Sequence, residues 1–91
     1  MSNIYTTQTV RDKHGLSWSE EYILGMIAKE ENPTTMSVLS TAKKRKVMSH
    51  ATTHKYLTAL STKKYVAKPN HTFVLTNKAV NFFKDLNNVN Q

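Results

Sequence analysis

Ser49-His50-Ala51-Thr52-Thr53-His54-Lys55-Tyr56-Leu57-Thr58-Ala59-Leu60-Ser61-Thr62-Lys63-Lys64-Tyr65-Val66 is the stretch that decides how this chain folds. Ser49 suits a helix cap, because its hydroxyl can accept from an N–H group of the first turn. Thr53, Tyr56, Leu57 and Leu60 follow at i, i+3, i+4 and i+7, the inward face of a helix over 50–63. The opposite face carries His50, Thr52, His54, Lys55, Thr58, Ala59 and Thr62, with no acid among them. Past Lys64 the period changes. Tyr65-Val66-Ala67 and Thr72-Phe73-Val74-Leu75 are β-prone runs around the turn Lys68-Pro69-Asn70-His71, which predicts a two-stranded hairpin.

Toward the N-terminus, the basic run Lys43-Lys44-Arg45-Lys46 follows a short predicted helix over 35–43. Thr34 or Thr35 caps that helix, and Met36, Val38, Leu39 and Ala42 are its apolar positions. Asn32-Pro33 ends an earlier helix, over 18–31. Its cap is Ser17 or Ser19, its first turn holds Glu20 and Glu21, and its apolar set is Tyr22, Ile23, Met26 and Ile27. Beyond the hairpin, Thr76 caps a last helix bearing Ala79, Val80, Phe82, Phe83 and Leu86. Residues 1–16 read as an N-terminal arm, extended through Ile4 to Val10 and turning at His14-Gly15; 87–91 read as a frayed tail. Residues 17–86 are then a single domain, without repeats or linkers.

Composition narrows the function. No run of eighteen apolar residues exists, so no membrane span is expected. Met1 to Val10 lacks the apolar core of a signal peptide, and cysteine is absent, both of which fit a cytoplasmic protein. Two glycines, Gly15 and Gly25, cannot build a phosphate-cradling loop. Ser17, Ser19 and the four histidines come with no Ser-His-acid order and no oxyanion loop, so neither an enzyme nor a cofactor is expected.

Charge says more. Thirteen basic residues against six acidic ones leave a net charge of +7. Asp12, Glu20, Glu21, Glu30 and Glu31 lie in the first third, and Asp85 is the only other acid. From Asn32 to Lys84 there are ten cations and no carboxylate. Such a segment repels itself, and the usual reason to keep it is a polyanion such as nucleic acid. A merely solubilising surface would mix both signs.

Helix, short helix, basic turn, helix, hairpin, helix is the order of a winged helix-turn-helix: mainly α with a small β-hairpin. A helix about 10–12 Å across fits the B-DNA major groove, about 12 Å wide. Base readout is therefore assigned to His50, Ala51, Thr52, His54, Lys55 and Thr58. Phosphate contacts go to Lys43, Lys44, Arg45, Lys46, Ser49, Lys63, Lys64, Lys68, Asn70 and His71. The expected partner is double-stranded DNA and the expected role a homodimeric transcriptional repressor, since one helix reads few base pairs and symmetric pairing doubles the site. A DNA-coating or partition protein, or a winged domain used as a protein adaptor, are the alternatives.

Residues 49–66 resemble the recognition helix and first wing strand of the MarR-like winged-helix regulators, whose pattern is a capping Ser, a polar run, Leu-x-x-Leu and Lys-Gly-Leu-Val. Phe73-Val74-Leu75-Thr76-Asn77-Lys78-Ala79 is similar to their Leu-Thr-x-Lys-Gly. The resemblance spans about residues 17–86 and implies a winged-helix fold and DNA binding. Tyr65 follows Lys64 where that family has Lys-Gly, and Ala79 replaces its second Gly. The wing lacks the family's Asp-x-Arg-Arg tip and offers Lys68, Asn70 and His71 instead.

Three further patterns have ordinary readings. Lys43–Lys46 matches a short nuclear-import signal, a pattern that any basic protein produces by chance. His50 and His54 share a helix face but have no evident third metal ligand. Trp18, Tyr22, Phe73, Phe82 and Phe83 have the spacing of core residues rather than of stacking platforms. Phe82, or Tyr5 with Trp18, could instead form a dimer surface.

Overall fold

The computed structural model of the chain describes residues 7–89. They form α1 (Thr7–His14), α2 (Trp18–Lys29), α3 (Thr35–Lys44), α4 (His50–Thr62), β1 (Val66–Ala67), β2 (Val74–Leu75) and α5 (Asn77–Val89). The chain is mainly helical, with one small antiparallel hairpin. Among the described residues no helix is long and apolar enough to cross a membrane.

Caps set the helix starts. Ser17 Oγ accepts from the Glu20 N–H while the Glu20 carboxylate accepts from the Ser17 N–H, and Thr34 and Ser37 repeat that reciprocal pair at α3. Ser49 Oγ accepts from the Thr52 N–H at α4. Three helices end alike. Gly15, Lys46 and Lys64 take left-handed φ of 71°, 58° and 66°, and the next N–H returns to a carbonyl five residues back, Leu16 to Arg11, Val47 to Ala42, Tyr65 to Leu60. Glycine is at ease there; a lysine costs about 1 kcal/mol.

One core joins every helix. Ile23, Leu24 and Ile27 of α2 meet Val38 and Ala42 of α3, Leu57 and Leu60 of α4, and Ala79 and Phe82 of α5. Tyr65 is fully buried against Phe82, and its hydroxyl donates to the His14 carbonyl at 2.7 Å. The hairpin pairs Val66 with Leu75 and Ala67 with Val74. Its strands are shorter than the sequence predicts because Tyr65 and Phe73 turn into the core, and the Phe73 N–H donates to the Pro33 carbonyl.

The N-terminal arm needs correction. Residues 7–14 are helical, not extended, and α1 packs on α5. Thr7, Thr9 and Val10 favour strands by propensity, but Val10 and Leu16 enter the core, and Gln8, Arg11 and Asp12 link side chains along the helix. Ile4, Tyr5 and Thr6 lie outside the described residues. At the other end α5 carries on through Asn87 to Val89 where a frayed tail was expected. Phe82 is core rather than dimer surface, whereas Trp18, Met36 and Val80, all assigned inward by spacing, are exposed.

Candidate nucleic-acid interface

Helix α4 is thirteen residues, about 20 Å, long. Thr53, Leu57 and Leu60 fix its inner face, with Tyr56 half-buried beside them, and the Thr53 hydroxyl donates to the Ser49 carbonyl. His50, Ala51, Thr52, His54, Lys55 and Thr58 are all exposed on its outer side. Ser49 is exposed too, and its hydroxyl donates to Thr52 Oγ1 while capping the helix. Lys55 Nζ leans over the Tyr56 ring at 5.7 Å, which orients its cation along the outer face.

Just before α4, Lys43 and Lys44 end α3 where a turn was expected, Arg45 caps it and Lys46 follows, and all four are exposed. The Arg45 guanidinium donates to the Tyr22 hydroxyl at 3.2 Å. The ion pairs among the described residues join Arg11 to Glu21, Lys13 to Asp85, which His14 also hydrogen-bonds, and Lys63 to Glu20. None involves the basic turn, α4 or the hairpin.

The hairpin stands beside α4 with Lys68, Asn70 and His71 exposed at its connection and His71 in the left-handed region at φ 65°. Lys68 Nζ donates to Thr35 Oγ1 at 2.7 Å and lies over the Phe73 ring, so the hairpin base is tied to the start of α3. Between α4, this lysine and Thr35 runs a groove of about 230 Å³, walled by His54, Thr58, Ser61 and Thr62. Leu57 and Phe73 also line it; its polar groups are hydroxyls, one imidazole and one ammonium, all able to donate to an anion. The sequence reading put Thr62 on the outer face and Thr35 at a cap but assigned neither a contact, and it did not place Ser61 at all. Ser61 and Thr62 lie three and four residues past Thr58 on the same outer face, a signal available from spacing alone; Thr35 carried none.

Lys63 is placed differently from the expectation. Its ammonium donates to the Gly15 carbonyl at 2.7 Å and pairs with the buried Glu20 carboxylate at 2.8 Å. Burial pushes the Glu20 pKa up, but the Lys63 and Ser17 hydrogen bonds outweigh it and hold the group below its ordinary 4.5. Lys63 thus staples the end of α4 to the start of α2 and is not turned toward a phosphate. Lys78 Nζ meets the Lys63 carbonyl at 2.9 Å, a cation at the C-terminal end of α4. Lys64, in contrast, is exposed.

His50 and His54 stand one turn apart, and among the described residues no three His, Asp or Glu side chains converge as a metal site would need. No protein-family model, curated protein or solved structure compared with this chain matches it.

Proposed function

We propose that this chain is a winged helix-turn-helix protein of the MarR-like kind that binds double-stranded DNA. It acts in the cytoplasm as a homodimeric transcriptional regulator, most simply a repressor that occupies a promoter. The observation that carries this reading is the acid-free outer surface of the basic turn, α4 and hairpin, set against Glu20, Glu21 and Asp85, which are paired elsewhere. Helix α4 enters the major groove and presents His50, Ala51, Thr52, His54, Lys55 and Thr58 to base edges, Lys55 being suited to guanine acceptors and Ala51 or Thr52 to the thymine methyl. The turn Lys43–Lys46, with Lys64, Lys68, Asn70 and His71, meets backbone phosphates and releases counterions. The groove between α4 and Lys68 takes one strand of the backbone, its hydroxyls donating to phosphate oxygens. A second copy doubles the sequence read.

The test is recovery of bound fragments from the source genome at about 0.15 M salt, followed by sequencing. Enrichment of one inverted repeat is the expected outcome. Clustered direct repeats would replace the regulator by a protein that spreads along DNA. Uniform weak recovery that disappears with added salt would leave only generic charge. With an enriched site in hand, Thr52→Ala with Lys55→Ala relaxes its sequence preference by about 1–3 kcal/mol per base pair read, measured by competition against single-base variants.

A further inference from the structure

Trp18 is the chain's only tryptophan, and it is 55% exposed. An indole is among the side chains a fold gains most by burying, yet α2 turns this one to water. Tyr22 stacks on it, ring centroids 5.4 Å apart and planes within 20°. Behind the pair, Arg45 of the basic turn donates to the Tyr22 hydroxyl. Trp18, Tyr22, Gly25, Lys29 and Arg45 line a groove of about 200 Å³. The groove is open beside Gly25, where a Cβ would meet nothing within 4 Å.

The geometry points to a binding site for an unpaired nucleotide, its base stacked on the Trp18–Tyr22 pair and its phosphate held by Arg45 and the neighbouring basic turn. Every base has a π-face, so an aromatic platform flanked by cations takes nucleotides with little regard to sequence. The one acid on the rim, Glu21, is neutralised by its ion pair with Arg11. Lys29 and Arg45 therefore set the sign of the groove. A second copy of the chain is the wrong occupant, because a symmetric contact would bring two sets of these cations together. The nucleotide can come from an unpaired stretch of DNA or RNA, or be free in solution. The site shares Arg45 and the basic turn with the proposed duplex surface, but its aromatic platform belongs to α2 and not to α4.

Because Trp18 is the sole indole, its emission reports on the site in the unaltered protein. Titration with an oligothymidylate of about twelve nucleotides in about 0.1 M salt should quench it saturably, whereas a blunt duplex, followed by anisotropy of a dye on the DNA, should leave it unchanged. By the same anisotropy readout, Trp18→Ala should weaken oligonucleotide binding about tenfold or more, and Trp18→Phe should restore most of the loss. Circular dichroism of both variants checks that the fold is kept. Quenching by ATP with the same dependence on Trp18 would identify a free nucleotide as the source. Failure of the oligonucleotide and of ATP to quench overturns the inference. Equal quenching by the blunt duplex, Trp18→Ala binding within twofold of the parent, quenching by polyglutamate instead, or quenching with rising protein concentration alone overturns it as well. Loss of duplex binding with quenching intact would sink the duplex reading and leave this one standing.

Discussion

The two sides of this small protein treat charge in opposite ways. Where α1, the start of α2 and α5 meet, cations face carboxylates: Arg11 with Glu21, Lys13 with Asp85, which His14 also hydrogen-bonds, and Lys63 with Glu20. Around the basic turn, the outer face of α4 and the hairpin, no cation is ion-paired among the described residues. Of the ten basic residues between Asn32 and Lys84, Lys63 alone joins an ion pair among the described residues. Net charge would not separate the two sides, because a lysine that holds the fold and a lysine left free for a ligand each count as +1. The useful quantity is the number of cations left over after the fold has taken its share.

That contrast can be broken by experiment. The largest effect is expected on the unpaired side. Replacing Lys43, Lys44, Arg45 and Lys46 together by Ala should cut DNA affinity at about 0.15 M salt at least a hundredfold and lower the salt slope by about 3. The urea midpoint should barely move. A midpoint that falls with the affinity would mean the turn serves the fold instead.

On the paired side, Glu20→Ala removes the partner of Lys63 and half of a capping box, and should cost about 2 kcal/mol at neutral pH. Glu20 has a lowered pKa in the fold, so its contribution is present above its ordinary 4.5 and disappears as pH falls through the folded value. Asp85, lowered chiefly by the His14 hydrogen bond and then by Lys13, acts in the same direction. Urea titrations at about pH 7 and about pH 3 should show the variant losing less stability on acidification than the parent. Equal losses would remove Glu20 from the account. A smaller step, about 1 kcal/mol, is expected for Tyr65→Phe, which leaves the His14 carbonyl without its hydroxyl donor. Thermal unfolding measures it, and DNA affinity should stay unchanged.

The smallest effect sharpens the comparison most. Lys64→Gly relieves a left-handed backbone, φ 66°, and should stabilise the protein by about 0.5–1 kcal/mol while weakening DNA binding a few-fold. If stability and affinity rise together, Lys64 is not a phosphate contact.

The sequence was legible wherever local chemistry is self-announcing. Ser17, Thr34 and Ser49 each cap the helix that their spacing predicts, and Thr53, Leu57 and Leu60 face inward as their period requires. What failed depends on partners distant in sequence. Glu20 reads as a first-turn acid on a helix surface; besides the adjacent Ser17, it is Lys63, 43 residues on, that makes its burial tolerable. Lys63 reads as one more cation for the same reason. Residues 7–10 read as extended because Thr and Val favour strands, and α5 decides otherwise. Trp18 shares a helical stripe with Tyr22, so periodicity sends it inward, yet the buried stripe of α2 runs through Ile23, Leu24 and Ile27.

Helix α1 sets a condition on the order of folding. His14 meets Asp85 across 71 residues and accepts from the Tyr65 hydroxyl across 51. A helix of eight residues is too short to persist alone in water. It must wait for α5, a contact that closes the longest loop in the described chain and bears the matching entropic cost. The α2–α3–α4 unit, built from nearer neighbours, can form before it. Protection of α1 amides against hydrogen exchange should therefore appear late in refolding, together with that of α5.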